Sequence, residues 1–271
     1  MLKLRNDLES LEFWWRTLSR VRPLWPWIGR WIEDVRLLRK RGRLAGNATV
    51  RTAIRRELQP LDILLERSSF HLADYVIPGH FHHAGVYLGG AGAGWPDAAR
   101  HLASPPDATA DEGTVIEATH EGVRLVSLSS FLDVDTLLVL RDRRLKARDP
   151  ERLRAAALRE LGKAYDYYFD LEDPRHQFCT KLVATIFAHF DFRSPLVAGT
   201  TLVPDHLVAT ALRDPAQELV PVLLADGVDG LVRDGLPEAL AQRIGAGAAA
   251  VRAPRRARRQ AVSVSASAEP R

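Results

Sequence analysis

One cysteine, Cys179, stands in this chain of 271 residues. A thiol acts as a nucleophile in its thiolate form. The start of a helix, with aligned peptide dipoles and unpaired N–H groups, favours that form. Cys179 heads the run CTKLVATIFAHF, whose apolar residues Leu182, Val183, Ile186 and Phe190 recur at helical spacing. The same N–H groups can hold an oxyanion. The plain alternative is a small buried core residue. What separates the two is a base and a carboxylate elsewhere in the chain.

Three of the nine histidines crowd into HFHHAGVYLGG, residues 80–90. A metal site would need all three rings to converge. In extended backbone His82 points away from His83, and His80 shares the second face only loosely. Neither an H-E-x-x-H nor a C-x-x-C pattern occurs. No metal is expected, and His83, at the head of a strand, is the candidate base. His82 and His80 are left to line the cleft mouth or to face water. Glu117 lies in TVIEAT, an otherwise apolar strand. A carboxylate there is costly unless paired, and a histidine on a neighbouring strand would satisfy it and fix the imidazole tautomer. An edge-strand glutamate facing water is the competing reading. Asp62 and Asp166 are weaker carboxylate candidates at strand ends or turns.

These residues need a frame. Short runs rich in Val, Ile and Leu follow from residue 60: LDILLER, HAGVYLG, GTVIEAT, GVRLVSL, DTLLVLRD and ELVPVLL. Helices are expected at NATVRTAIRREL, with Asn47 as N-cap, at DPERLRAAALRELG, with Asp149 as cap and Pro150 at the first helical position, and at CTKLVATIFAHF and VPDHLVATALRD. GAGAGWPDAARHLASPPDATADEG reads as a long surface loop. The order predicts an α+β fold, a small antiparallel sheet with packed helices. Residues 1–57 form an N-terminal helical region with a hairpin to about 42, residues 58–245 the main domain, and residues 246–271 a disordered tail rich in Arg, Ala and Ser.

The succession QPLDILL, IPGHFHHAGVYLG, VIEATHEGV, FLDVDTLLVLR, GKAYDYYFD, FCTKLV and VPDHL resembles the permuted papain-like cysteine amidases of the YiiX/YaeF type, within the NlpC-like hydrolases. The lecithin retinol acyltransferase group is a more distant relative. The resemblance spans about residues 58–212. It implies His83 as base, Glu117 as the polar third member and Cys179 as nucleophile, with the His-bearing strand ahead of the Cys helix. Three positions depart from the usual pattern. Leu61 replaces a glycine, His82 stands where serine is common, and Lys181 takes the place of an acid.

The expected function is a cysteine hydrolase, amidase- or peptidase-like, cleaving an amide or ester through a thioester. Tyr165, Tyr87 and His82 are candidate substrate-binding residues, and no cofactor is expected. The substrate would be a small peptide, an acyl amide or a lipid. A lipid-directed acyltransferase or esterase at a membrane surface, and a non-catalytic binding module, are the alternatives.

Composition narrows the setting. A lone Cys forbids an intrachain disulfide. Neither a signal-peptide core in the first 20 residues nor an uncharged apolar window of spanning length is present, so a cytoplasmic location is expected. Trp14, Trp15, Trp25, Trp27 and Trp31, interleaved with Arg16, Arg20, Arg22 and Arg30, could lie on a membrane interface as a peripheral contact. Regular apolar stripes and interspersed acids favour a packed hairpin instead. The net charge of +4 owes most to the tail RAPRRARRQAVSVSASAEPR. Lacking interleaved aromatics, that tail supports only nonspecific phosphate attraction, and no specific nucleic acid is expected.

Overall fold

A computed structural model describes residues 42–68, 79–90, 113–192, 201–214, 216–228 and 230–244. The proposed N-terminal hairpin, the long loop after residue 90 and the basic tail lie outside the described residues.

Helix α1 (Ala48–Glu57) starts where Asn47 accepts the N–H of Val50 through its side chain. Strands β1 (Ile63–Arg67), β2 (His83–Gly89), β3 (Thr114–Thr119), β4 (Gly122–Ser127) and β5 (Thr136–Asp142) follow, with the single-turn α2 (Leu128–Phe131) before β5. Helix α3 (Pro150–Arg159) begins as expected, with Asp149 accepting from Arg152 and Pro150 in the first turn. Two-residue strands β6 (Ala164–Tyr165) and β7 (His176–Gln177) pair in parallel just ahead of helix α4 (Cys179–Ile186). Helix α5 (Pro204–Arg213), strands β8 (Leu219–Asp226) and β9 (Gly230–Val232) and helix α6 (Leu236–Arg243) complete the described chain.

The fold is α+β. The main sheet has seven strands in the order β4-β3-β2-β1-β5-β8-β9, and every neighbouring pair is antiparallel. Sequence reading supplied six of these strands. β9 and α6 follow ELVPVLL, where no element was expected. Helix α4 also stops sooner than its apolar pattern suggests. The Phe187 N–H closes on Val183 O, and Phe190 lies beyond the helix.

Both faces of the sheet are covered, which is why its strands read as near-continuous apolar runs. Ile63, Leu65, Val86, Ile116 and Leu138 face one cluster with residues of α3, α4, α5 and α6. Leu64, Tyr87, Val115, Leu137 and Val139 face the other, with Val50 and Ile54 of α1 and Phe131 of α2. This is period-two alternation with a core on either side.

Leu61 enters β1 at φ +70, in the left-handed region that favours glycine. The leucine side chain is 1% exposed within the first cluster. Backbone strain of about 1 kcal/mol opposes a burial worth about 2–3 kcal/mol, so burial wins. Leu61→Gly should therefore lose about 1–3 kcal/mol in urea unfolding, despite relieving the strain. A gain in stability would show that the strain outweighs the burial.

Candidate active site

Helix α4 begins at the nucleophile candidate. Phe178, its N-cap residue, is extended and offers no side-chain cap. The first N–H groups of the helix therefore gain nothing from the cap residue's side chain. Cys179 is 4% exposed and sits in the apolar cluster on the helical face of the sheet. Thr180 ties the helix to the segment before α5, donating from Oγ1 to Leu202 O at 2.8 Å.

His83 is the first residue of β2. Its Nε2 lies 3.0 Å from Glu117 Oε2, and the Cys179 thiol is close enough to act on its ring. With Nε2 committed to the carboxylate, Nδ1 is the nitrogen left for the thiol. Cys179 belongs to the layer on one face, and Phe131, whose ring centroid is 5.9 Å from that of His83, to the layer on the other. A place at the open end of β2 lets the imidazole meet both. Gly85, two residues on, makes room for Phe131. A Cβ there would come within 2.8 Å of the Phe131 ring and of Val115.

Register explains the carboxylate. Gly85 pairs with Glu117, so the two-residue step back to His83 stays on the same face. β3 lies inside the sheet, and Glu117 is 6% exposed rather than facing water. Across β3 and β4, Glu117 is directly opposite Arg124. Both Nε and Nη2 of Arg124 lie 3.0 Å from Glu117 Oε1, and its Nη1 pairs with Glu121. Imidazole, carboxylate and guanidinium thus form one connected line, with the thiol beside the ring.

The charges follow this geometry. Burial alone would lower the pKa of His83, but Cys179 and Glu117 together outweigh burial and raise it well above the usual value. For Glu117, burial pulls upward, and His83 and Arg124 together hold the carboxyl below its ordinary range. The pair favours imidazolium beside carboxylate.

The other two histidines point elsewhere. His80 Nδ1 is 3.2 Å from Arg67 Nη1, and burial together with that guanidinium lowers its pKa to about 3. His82 Nε2 lies 3.2 Å from Gly79 O, and its backbone N–H donates to Glu66 O. Each of the three rings is engaged with a different partner. Among the described residues, no group of three His, Cys, Asp or Glu side chains is arranged to hold a metal ion.

The loop carrying these histidines is clamped by Asp205, in the first turn of α5. Its buried carboxylate accepts the N–H groups of His80 at 2.7 Å and Phe81 at 3.0 Å. Gly79, at φ +128, lies so close that a Cβ would sit 2.8 Å from Asp205 Oδ2. Burial pushes the Asp205 carboxyl up to about 6.

The remaining candidates lie around this line. Tyr87 is four residues along β2 from His83 and is 9% exposed, packed in the second cluster. Tyr165 packs on the first cluster, within 5.1 Å of Tyr167 and 6.3 Å of Phe169, centroid to centroid. Asp62 is 1% exposed and committed to Arg141, whose Nε and Nη2 each lie 2.7 Å from it. Asp166 is turned inward, accepting the N–H groups of Tyr168 and Asp170.

A family model described as permuted papain-like amidase enzyme, YaeF/YiiX, matches residues 57–209. Among solved structures, the metalloprotein yiiX from Escherichia coli O157:H7 is similar at 19% identity, with a TM-score of 0.41, over 61% of this chain and 97% of that one. No curated protein matches the chain. Among the described residues, no helix is long and apolar enough to cross a membrane.

Proposed function

The chain belongs to the YaeF/YiiX family of permuted papain-like amidases, and on that premise we propose that it is a cysteine hydrolase opening the amide bond of a peptide or N-acyl compound, or the corresponding ester. One observation supports this reading: His83 is bonded to a carboxylate held by Arg124 and has the lone thiol acting on its ring.

The chemistry runs in two halves. His83 takes the Cys179 proton, and the sulfur attacks the carbonyl carbon, forming a C–S bond and an oxyanion. Backbone N–H groups at the start of α4 stabilise that oxyanion. His83 returns the proton to the leaving nitrogen or oxygen as its bond to carbon breaks, leaving a thioester. Water then gives a proton to His83 while its oxygen attacks, and the C–S bond breaks to release the acid. Glu117 keeps the ring aligned and favours its protonated form.

Alkylation by iodoacetamide, read by intact mass, tests this. A single adduct is expected, at Cys179, because no other thiol exists. His83→Ala should slow its formation about tenfold or more at neutral pH, since the imidazole no longer supports the thiolate. Equal rates in the two proteins would refute the pairing.

A further inference from the structure

Lys181 sits in the first turn of α4, two residues after Cys179, and is 5% exposed. A lysine is among the residues least often found in such a place. Its ammonium is met by oxygen alone. It donates to Asp170 O at 2.7 Å and to Asp173 O, and lies 4.0 Å from Asp166 Oδ2. All three partners come from one segment, which folds around the ammonium. Asp166 also accepts the N–H groups of Tyr168 at 2.8 Å and Asp170 at 2.9 Å, so the segment is tied to itself as well as to the helix.

The same segment carries an aromatic ladder. Tyr165 meets Tyr167 and Phe169 edge-on, and Phe169 meets Phe178 edge-on at 5.3 Å between centroids. Phe178 is the residue immediately before Cys179. Tyr168, between these rings, is 43% exposed. One helical turn thus holds the thiol at its first position and, two positions on, the cation bound by the segment that carries these rings.

We propose that Lys181 is a positioning residue for substrate: its buried ammonium pins the 165–173 segment so that its rings form an apolar wall beside Cys179, selecting an aromatic or aliphatic group next to the scissile carbonyl. This rests on the hydrolase reading, and it assigns the lysine a role apart from bond breaking. An uncharged side chain would leave two carbonyls facing no donor. The segment would then move away from the helix, and the wall would shift relative to the sulfur.

Two alkylating probes with one reactive group separate this from a purely structural role. Iodoacetamide reads the thiol and its imidazole. N-benzyl iodoacetamide adds a ring that the wall would hold. Each is measured as a rate of mass gain on the full chain. In the native protein the benzyl probe should react faster relative to iodoacetamide. In Lys181→Met that ratio should fall about tenfold, the scale of a reacting group misplaced by a fraction of an ångström. The iodoacetamide rate itself should stay within about twofold, because His83 and Glu117 are untouched. Asp166→Asn, which removes the charge facing the ammonium but keeps an acceptor, should lower the ratio in the same direction and covers the case of a misfolded Lys181→Met. A native-like ratio in either folded variant would overturn the proposal. Loss of the His83 dependence of iodoacetamide labelling would instead overturn the hydrolase reading.

Discussion

Cys179→Ala is expected to reduce kcat/KM for amide or ester cleavage by about 10⁴-fold or more, and His83→Ala by about as much. The magnitude follows from what each change removes. Without sulfur no thioester forms, and catalysis falls back on binding and on the N–H groups at the start of α4. Without the imidazole the thiol loses the base that stands beside it. The doubly substituted protein should be no worse than either single variant, because the two groups act in one step. Glu117→Gln should cost less, about 10²-fold. Glutamine still offers an oxygen to the ring, but it no longer stabilises the imidazolium, and Arg124 loses one of its two charged partners. Rates over a panel of peptide amides, N-acyl amides and esters, compared with the native protein, provide the check. Native turnover in Cys179→Ala would exclude thioester chemistry outright.

The direction of charge in the site sharpens that order. His83 is held well above its usual pKa by Cys179 and Glu117 acting against burial, and Glu117 is held below its own by His83 and Arg124. His83 and Glu117 each favour the charged form of the other. Glu117→Gln therefore makes the protonated form of His83 less populated, leaving less imidazolium to protonate a leaving group.

Much of this arrangement is legible along the chain, and most of what is not depends on tertiary partners. Strand alternation puts Glu117 and Val115 on one side and Ile116 and Ala118 on the other, as the two clusters have it. Asn47 and Asp149 announce their helices because a cap is a local signal. Most of the residues missed are those whose meaning depends on the partner the fold sets beside them. Arg124 reads as the polar position of an ordinary strand until register sets it opposite Glu117. Lys181 reads as a departure from a motif, and nothing local says that its ammonium will be buried against carbonyls of a preceding segment. β9 is three residues long, too short to show a period. Helix α6 had a readable signal, with Pro237 in its first turn and Leu236, Leu240 and Ile244 at helical spacing. Asp205 was visible only within VPDHL, and its role needs Gly79, His80 and Phe81, more than a hundred positions earlier.

That carboxylate carries the largest expected effect on stability. Asp205→Ala removes the acceptor of two buried N–H groups, those of His80 and Phe81. A buried donor left without an acceptor costs about 1–3 kcal/mol, so the loss should reach about 2–6 kcal/mol. pH decides how much of it is seen. In the folded chain burial raises the Asp205 carboxyl from its ordinary 3.8 to about 6. Between those values the folded state holds a proton that the unfolded state has released. Stability from this group is therefore complete below about 4 and declines as pH rises through 6, by about 3 kcal/mol. Neither Asp205→Ala nor Asp205→Asn has this titration. The deficit of Asp205→Ala should accordingly be widest near pH 4 and narrow by about 3 kcal/mol at pH 7, where the native carboxylate is ionised in a buried place. Asp205→Asn, which keeps one acceptor oxygen, should show a smaller deficit with the same narrowing. Urea unfolding of the three proteins at pH 4, 5.5 and 7 reads both quantities. A deficit independent of pH would mean that this carboxyl is not raised. A deficit near zero at pH 4 would mean that the two N–H groups find another acceptor, and that the loop ahead of His83 is not held by Asp205.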